Sequence, residues 1–270
     1  MKFSVLMPVY FKEKTKYLDE SIKSIIEQTL KPNQIVIIKD GKFPAELNKV
    51  IEKYKSKYNN LIDIYEFEKN VGIAKALNKG LSICKYEYIA RMDSDDVCKN
   101  DRFEKQMNYL QKNTELDILG GIIEEYDEGM NKLLSKREVP KKEENIKLNI
   151  KKENPFNHST VIFKKETILK LGGYKNIKLE DYDLWARMVI NNCKMENLNE
   201  ILVKNRTGIT MYKKHSGIKY VKDIIEIENK LYEYKLINKG EYAINLIKRI
   251  PLALCPVQLK RFIYPFIRRF

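Results

Sequence analysis

Three aspartates, Asp93, Asp95 and Asp96, fall within four residues of "RMDSDD", directly after the apolar run "YEYIA". Like charges that close repel, although the chain as a whole carries a formal charge of +14. A divalent cation would turn the repulsion into attraction, and a cation so held can bridge a diphosphate and neutralise a leaving phosphate. The same residues also suit a solvated acidic loop in which Asp96 or Asp101 starts the following helix. A second acidic group, Glu180, Asp181 and Asp183, stands beside the single tryptophan in "LEDYDLWARM". On a helix, Asp181, Trp185 and Met188 share one face. A carboxylate among apolar neighbours holds its proton more tightly and suits a general base. The plainer reading is a helix start whose dipole favours acidic residues.

Three further signals are weaker alone. Asp40 stands between the run "IVIIK" and Gly41. It reads as an ordinary turn residue, or as a hydrogen-bond acceptor for a base or ribose. Gly72 opens the amphipathic run "GIAKALNKG". A helix N-terminus attracts anions, glycine permits close backbone approach, and Lys75 in the first turn could reach a phosphate. Otherwise these are a loop glycine and a surface lysine. His158 precedes the run "STVIF", as a structural hydrogen-bonder or a site residue.

These residues need a frame that brings them together. Short apolar runs at 3–7, 34–38, 61–65 and 86–92 read as buried strands. Runs at 17–28, 44–57 and 72–83 carry helical spacing between them. Such alternation predicts a parallel sheet with helices on both faces. Each strand ends in a polar or Gly/Pro signal, and in open α/β sheets ligands bind outside the carboxyl ends of the strands. The middle section reads as mixed: helices over "DRFEKQMNYLQKN", "VPKKEENIKLNIKKEN" and "EDYDLWARMVINN", a bent strand over "LDILGGIIEEY" and a strand over "HSTVIF". The expected division is an alternating half at 1–100, a mixed half at 101–210 and a basic helical extension at 211–270.

Composition sets the outer bounds. The 270 residues, 43% hydrophobic, can build a substantial core. The excess of 51 Lys and Arg over 37 Asp and Glu suggests anionic partners. Four scattered cysteines and two histidines argue against disulfides and zinc and fit a reducing cytoplasm. Oxygen ligands would suit Mg²⁺ or Mn²⁺. "MKFSVLMPVY" reads as a first strand and not a signal peptide. No run approaches the roughly 20 apolar residues of a membrane span.

Taken together, "SVLMPVY", "LDESIKSIIEQTLKPNQIVIIKDG", "NVGIAKALNKGL", "YIARMDSDD", "NPFNHSTVIFKK", "LGGY" and "LEDYDLW" resemble the family 2 glycosyltransferases with the GT-A fold. "IARMDSDD", "NPFNHSTV" and "LEDYDLWARM" look closest to bacterial exopolysaccharide and capsule enzymes of the amylovoran type. The resemblance makes 1–100 the nucleotide-sugar-binding half and 101–210 the acceptor half. It implies that Pro8, Val9 and Tyr10 line a nucleotide pocket and that Asp40 holds the base. It sets Gly72 and Lys75 along the ribose and diphosphate, Asp93 at the ribose and metal, and Asp95 as ligand to Mn²⁺ or Mg²⁺. Asp181 matches the general base. His158, Glu180 and Trp185 fall on the acceptor side. Arg206 is implied at the diphosphate, although "KNRTG" departs from the family's arginine-x-histidine pattern. The QxxRW motif of processive synthases is absent, which implies one sugar per encounter.

The expectation is therefore inverting transfer of one sugar from a nucleoside-diphosphate sugar, a UDP-hexose, to a glycan or lipid-linked acceptor in surface polysaccharide synthesis. The last sixty residues carry 13 basic and 5 acidic side chains. Residues 242–270 could lie on an anionic inner-membrane surface. Lys248, Arg249, Lys260, Arg261, Arg268 and Arg269 would then face headgroups, and Ile263, Phe266 and Ile267 would insert. The alternative is a helical pair packed on the domain. A sugar-nucleotide pyrophosphorylase shares this layout but needs a Gly-rich loop, and "MPVYFKEK" has no glycine. Charge alone suggests nucleic acid, but no binding motif supports it.

Overall fold

The structure, a computed structural model, describes residues 1–208 and 215–256. Its first half alternates strictly: β1 (Phe3–Tyr10), α1 (Thr15–Ile26), β2 (Gln34–Asp40), α2 (Ala45–Lys57), β3 (Ile62–Glu66), α3 (Ile73–Ile83) and β4 (Tyr88–Arg91). These four strands pair in parallel in the order β3-β2-β1-β4. Side chains alternate across the sheet, as the two-residue strand period requires. Val5, Met7 and Val9 share one core layer with Leu18, Ile22 and Ile25 of α1. Leu6, Val36 and Ile38 share the opposite layer with Ala76, Leu77 and Leu81 of α3.

Helix α3 comes close to the sheet because Gly80 has no side chain. A Cβ there would overlap Leu6 Cδ1 and lie 3.2 Å from Ile38 Cγ1. Gly80→Ala is expected to destabilise by about 1–3 kcal/mol through overpacking, despite the better helix propensity of alanine. Urea unfolding should show a lower midpoint at unchanged slope.

The second half is mixed. It comprises β5 (Val97–Cys98), α4 (Arg102–Lys112), β6 (Ile118–Tyr126), β7 (Leu133–Arg137), α5 (Glu143–Asn149), β8 (Ile162–Lys164), α6 (Lys165–Lys170), α7 (Glu180–Ile190) and β9 (Met195–Arg206). The sheet continues from β4 through β8, β6 and β9 to β5, with β7 on β6. Strand β8 is antiparallel to both β4 and β6, while β6 and β9 run parallel. The bend expected in β6 appears as register shifts around Gly120 and Ile122.

Two expectations need correction. "HSTVIF" is not one strand: His158–Thr160 form a 3-10 turn before β8. Thr160 donates through both its backbone N and its Oγ1 to the Asn157 carbonyl, at 2.9 and 2.7 Å, and this local bonding displaces a ladder. The polar segment before it is helical only over Glu143–Asn149.

Helices α8 (Gly217–Glu233) and α9 (Lys239–Leu254) pack on each other, and α8 also packs on α7. A capping box between Asn238 and Glu241 starts α9. Arg249 does not face outward as a headgroup contact. Its Nη1 donates to Glu228 Oε1 at 2.6 Å, and Glu228 is completely buried. A buried carboxylate must be paired, so the arginine turns inward. Lys248 is exposed. Lys260, Arg261, Ile263, Phe266, Ile267, Arg268 and Arg269 lie outside the described residues. Among the described residues, no helix is long and apolar enough to cross a membrane.

Candidate active site

The carboxyl ends of β1, β2 and β4 bring the first set of expected residues to one sheet edge. Tyr10 pairs in register with Asp40. Pro8 and Val9 are buried, whereas Tyr10 is half exposed. Asp40 is nearly buried and accepts hydrogen bonds from Asn70 Nδ2 and from the N–H groups of Val71 and Gly72, at 2.8, 2.6 and 3.1 Å. Asp40 thus fixes the loop that leads into α3. Gly72 is the N-cap of α3, with φ of 90°, a conformation that favours glycine. Nothing lies within 4 Å of where its Cβ would be. Lys75 is exposed in the first turn.

After β4 the chain turns through Asp93, Asp95 and Asp96, which each offer a carboxylate oxygen within 4.8 Å of the others. The turn is held from several sides. Ser21 Oγ donates to the Asp93 carbonyl at 2.8 Å, and Ser94 Oγ donates to Glu13 at 2.8 Å. Asp96 is completely buried, not a solvated helix start. It accepts from Asn205 Nδ2 at 2.7 Å and from the Arg206 N–H at 3.0 Å. Burial and the charges of Asp95 and Asp93 push its proton affinity well up. Asp101, by contrast, is the N-cap of α4 and pairs with Lys105 at 2.9 Å.

Three clustered carboxylates with oxygen donors alone fit a hard divalent cation. Asp93 and Asp95 are the partly exposed members of the cluster. Arg206 sits behind it. Its Nε donates to the Asp95 carbonyl at 2.7 Å, its Nη1 to the Glu128 carbonyl at 2.8 Å, and its Nη2 pairs with Glu20. The guanidinium also lies 4.0 Å from the centre of the Tyr17 ring. The structure therefore places Arg206 as a clamp on the Asp95 main chain.

The second set gathers around α7. Asp181 is held by Asn154 Nδ2 on Oδ2 at 2.6 Å and by the Tyr182 N–H on Oδ1 at 2.8 Å. Burial raises its proton affinity, and these two bonds oppose the rise. Glu180 beside it is pushed up to about 8 by burial and by the Asp181 charge. His158 Nε2 lies 3.0 Å from the Tyr174 hydroxyl. Burial, then the nearby Arg91 charge, hold His158 well below the ordinary histidine range, so its ring is neutral near pH 7. Trp185 is completely buried against Phe156 and His158. It packs in the core beneath the site.

Sequence reasoning missed Arg91. It is almost fully buried at the end of β4 and forms an ion pair with Asp93. The same charge acts on Glu180, Asp181 and His158. Arg91 thus links the acidic turn to the α7 carboxylates. Its signal was legible: an arginine inside an apolar strand must find a partner, and acids follow it directly. Asn154 was also missed as a holder of Asp181, although it opens the quoted "NPFNHSTV".

Glu180 has a consequence for stability. A raised carboxyl pKa means that the native state binds more protons than the unfolded chain between about 4.3 and the native value. Its contribution is complete below that window and is lost as pH rises through about 8. Glu180→Gln should therefore flatten the fall in unfolding free energy across this range. Denaturant titrations at pH 5 and pH 8 would read it, and an unchanged pH slope would contradict the burial account.

Asp181 also borders a cavity of about 410 Å³, lined among others by Arg137, Lys152, Tyr182, Arg249 and Leu252. A mostly parallel sheet between two helical layers, with an acidic turn at its carboxyl edge, is the layout of the GT-A glycosyltransferases. Residues 4–171 match the profile of Glycosyl transferase family 2, and the chain belongs to that family. It is 37% identical to an Escherichia coli UDP-Gal:alpha-D-GlcNAc-diphosphoundecaprenol beta-1,3-galactosyltransferase, over 100% of this chain and 98% of the relative. It is 35% identical to the amylovoran biosynthesis glycosyltransferase AmsE of Erwinia amylovora, with 97% of each chain covered.

Solved structures share the fold at lower identity. Residues 1–349 of S. aureus TarS in complex with UDP-GlcNAc align with a TM-score of 0.66 and 19% identity, over 93% of this chain and 72% of that one. The chain spans 43% of a longer TarS chain. The mannosyltransferase PcManGT of Pyrobaculum calidifontis, in complex with GDP-Man and Mn2+, aligns with a TM-score of 0.64 and 13% identity, over 93% of this chain and 69% of that one.

Proposed function

We propose that this glycosyltransferase moves one hexose from a UDP-sugar to a hydroxyl of a lipid-linked glycan, with inversion, in surface polysaccharide synthesis. The observation that carries the reading is the position of Asp181. It is held by Asn154 at the wall of a cavity, within the field of the same Arg91 that pairs with Asp93. Asp181 takes the proton of the acceptor hydroxyl, and that oxygen attacks the anomeric carbon. The nucleoside diphosphate leaves from the opposite face. One positioned base suffices, because no covalent intermediate forms.

Pro8, Val9, Tyr10 and Asp40 frame the nucleotide, with Gly72 and Lys75 along the ribose and diphosphate. Asp93 and Asp95 are the residues that would hold Mn²⁺ or Mg²⁺, with Asp96 and Arg206 fixing their turn. The bound cation would neutralise charge developing on the leaving diphosphate. The UDP-sugar and diphosphoundecaprenol named for the E. coli relative support this choice of donor and acceptor class.

Peripheral attachment to the inner face of the cytoplasmic membrane belongs to the same reading. Ile247 of α9 is 72% exposed beside exposed Lys248, which suits an interface of lipid and headgroup. Flotation on anionic liposomes should drop when residues 242–270 are removed, and equal flotation would refute the tail's role. The function itself is tested by incubating purified protein and Mn²⁺ with a panel of sugar nucleotides and scoring release of nucleoside diphosphate. UDP-hexoses should give release that rises with a lipid-linked acceptor. Release from none of the panel would contradict the assignment.

A further inference from the structure

We infer that the cavity beside Asp181 binds a diphosphate diester, the anionic linker between an acceptor's sugar and its alkyl chain. The inference rests on the transfer reading. Three cationic residues from separate parts of the chain line the cavity: Arg137 of β7, Lys152 after α5, and Arg249 of α9. Glu153 and Asp181 are the acids among the lining residues. A neutral glycan has little use for such a wall, whereas a diphosphate presents several charged oxygens to it.

Arg249 is fixed in place. Its pairing with Glu228 at 2.6 Å is reinforced by Asn245 Nδ2, which donates to Glu228 at 2.9 Å, and the guanidinium lies 5.8 Å from the centre of the Tyr182 ring. A cation ordered before binding loses less entropy when a ligand arrives. Arg137 is fixed too, through Asn157 Oδ1 at 2.8 Å and the Asn154 carbonyl at 2.9 Å. Lys152 is exposed and can close on a ligand from the solvent side.

The apolar part of the lining supplies the third feature. Leu252 and Ala253 belong to α9, the helix that also carries exposed Ile247 and Leu254. The same lining thus offers a carboxylate, cations and aliphatic side chains, the three environments that a sugar hydroxyl, a diphosphate and an alkyl chain require.

The test uses the full chain saturated with UDP and Mn²⁺, so that the acidic turn is occupied. Calorimetry compares a short-chain alkyl diphosphate with a neutral alkyl glycoside of equal chain length. The diphosphate should bind at least about tenfold more tightly. Lys152→Glu should weaken it roughly tenfold and leave glycoside and UDP affinity unchanged. Arg249→Lys, which keeps a charge for Glu228, should weaken the diphosphate alone.

Equal affinities for the two probes would overturn the inference. So would a Lys152→Glu variant that loses UDP and alkyl diphosphate together, since that places the diphosphate at the donor edge. Glycerol phosphate binding as tightly as the diphosphate would mark a general headgroup surface and would also overturn it. Lysine-dependent diphosphate binding in a protein that transfers no sugar would uphold the site and sink the transfer reading.

Discussion

Asp181→Asn should lower kcat for sugar transfer by roughly 10²–10⁴-fold, the usual contribution of a general base, and leave UDP-sugar affinity unchanged. The asparagine is isosteric: its amide oxygen can still accept from the Tyr182 N–H, while its amide nitrogen cannot accept from Asn154, and removal of the buried charge offsets that lost bond. The fold should therefore survive. Removing a carboxylate whose burial raises its proton affinity should cost no stability. The combination separates chemistry from folding: unchanged unfolding, unchanged donor binding, lost turnover. The acid limb of kcat/KM offers a second readout. It should lie above the ordinary aspartate range of about 3.9, because protonating Asp181 removes the base. A variant with near-normal turnover would end the assignment.

Asp95→Ala should abolish the metal-dependent part of UDP binding. Unmodified protein should bind UDP at least about tenfold more tightly with Mn²⁺ than with a chelator, on the scale of lost metal-ligand support. The variant should show one affinity in both conditions. The surrounding turn should persist, because Arg206 holds the main-chain carbonyl at residue 95 and Asp96 has its own anchors on β9. Isothermal calorimetry reads both numbers. Equal metal dependence in variant and parent would move the cation away from Asp95.

The first half was readable from the chain because its signals are local. Apolar runs such as "QIVII" can only be buried strands when amphipathic runs separate them, and the two-sided core follows. Asp93, Asp95 and Asp40 stood out as candidates because strand ends in a parallel sheet meet at one edge, and Asp181 because a carboxylate among apolar neighbours suits a general base.

What remained hidden depends on contacts distant in sequence. Asp96 looked like a helix start, and only β9, 109 residues later, shows it as a buried anchor. Arg206 looked like a phosphate ligand until its three donor nitrogens were seen to hold Glu20, Glu128 and Asp95. Arg249 looked like a headgroup contact because Glu228, 21 residues earlier on the facing helix of the hairpin, gives no sign of burial in the sequence. The segment "HSTVIF" has strand composition, yet local bonding by Thr160 makes its start a turn.

The central claim is that one base, Asp181, drives direct displacement of the nucleoside diphosphate. The configuration of the product tests it most directly. Purified protein should be given an α-linked UDP-hexose and a lipid-linked acceptor, and the anomeric coupling of the product measured by NMR. A β-linked sugar is the predicted result. An α-linked sugar would require a second displacement or a different face of attack, and would contradict the account.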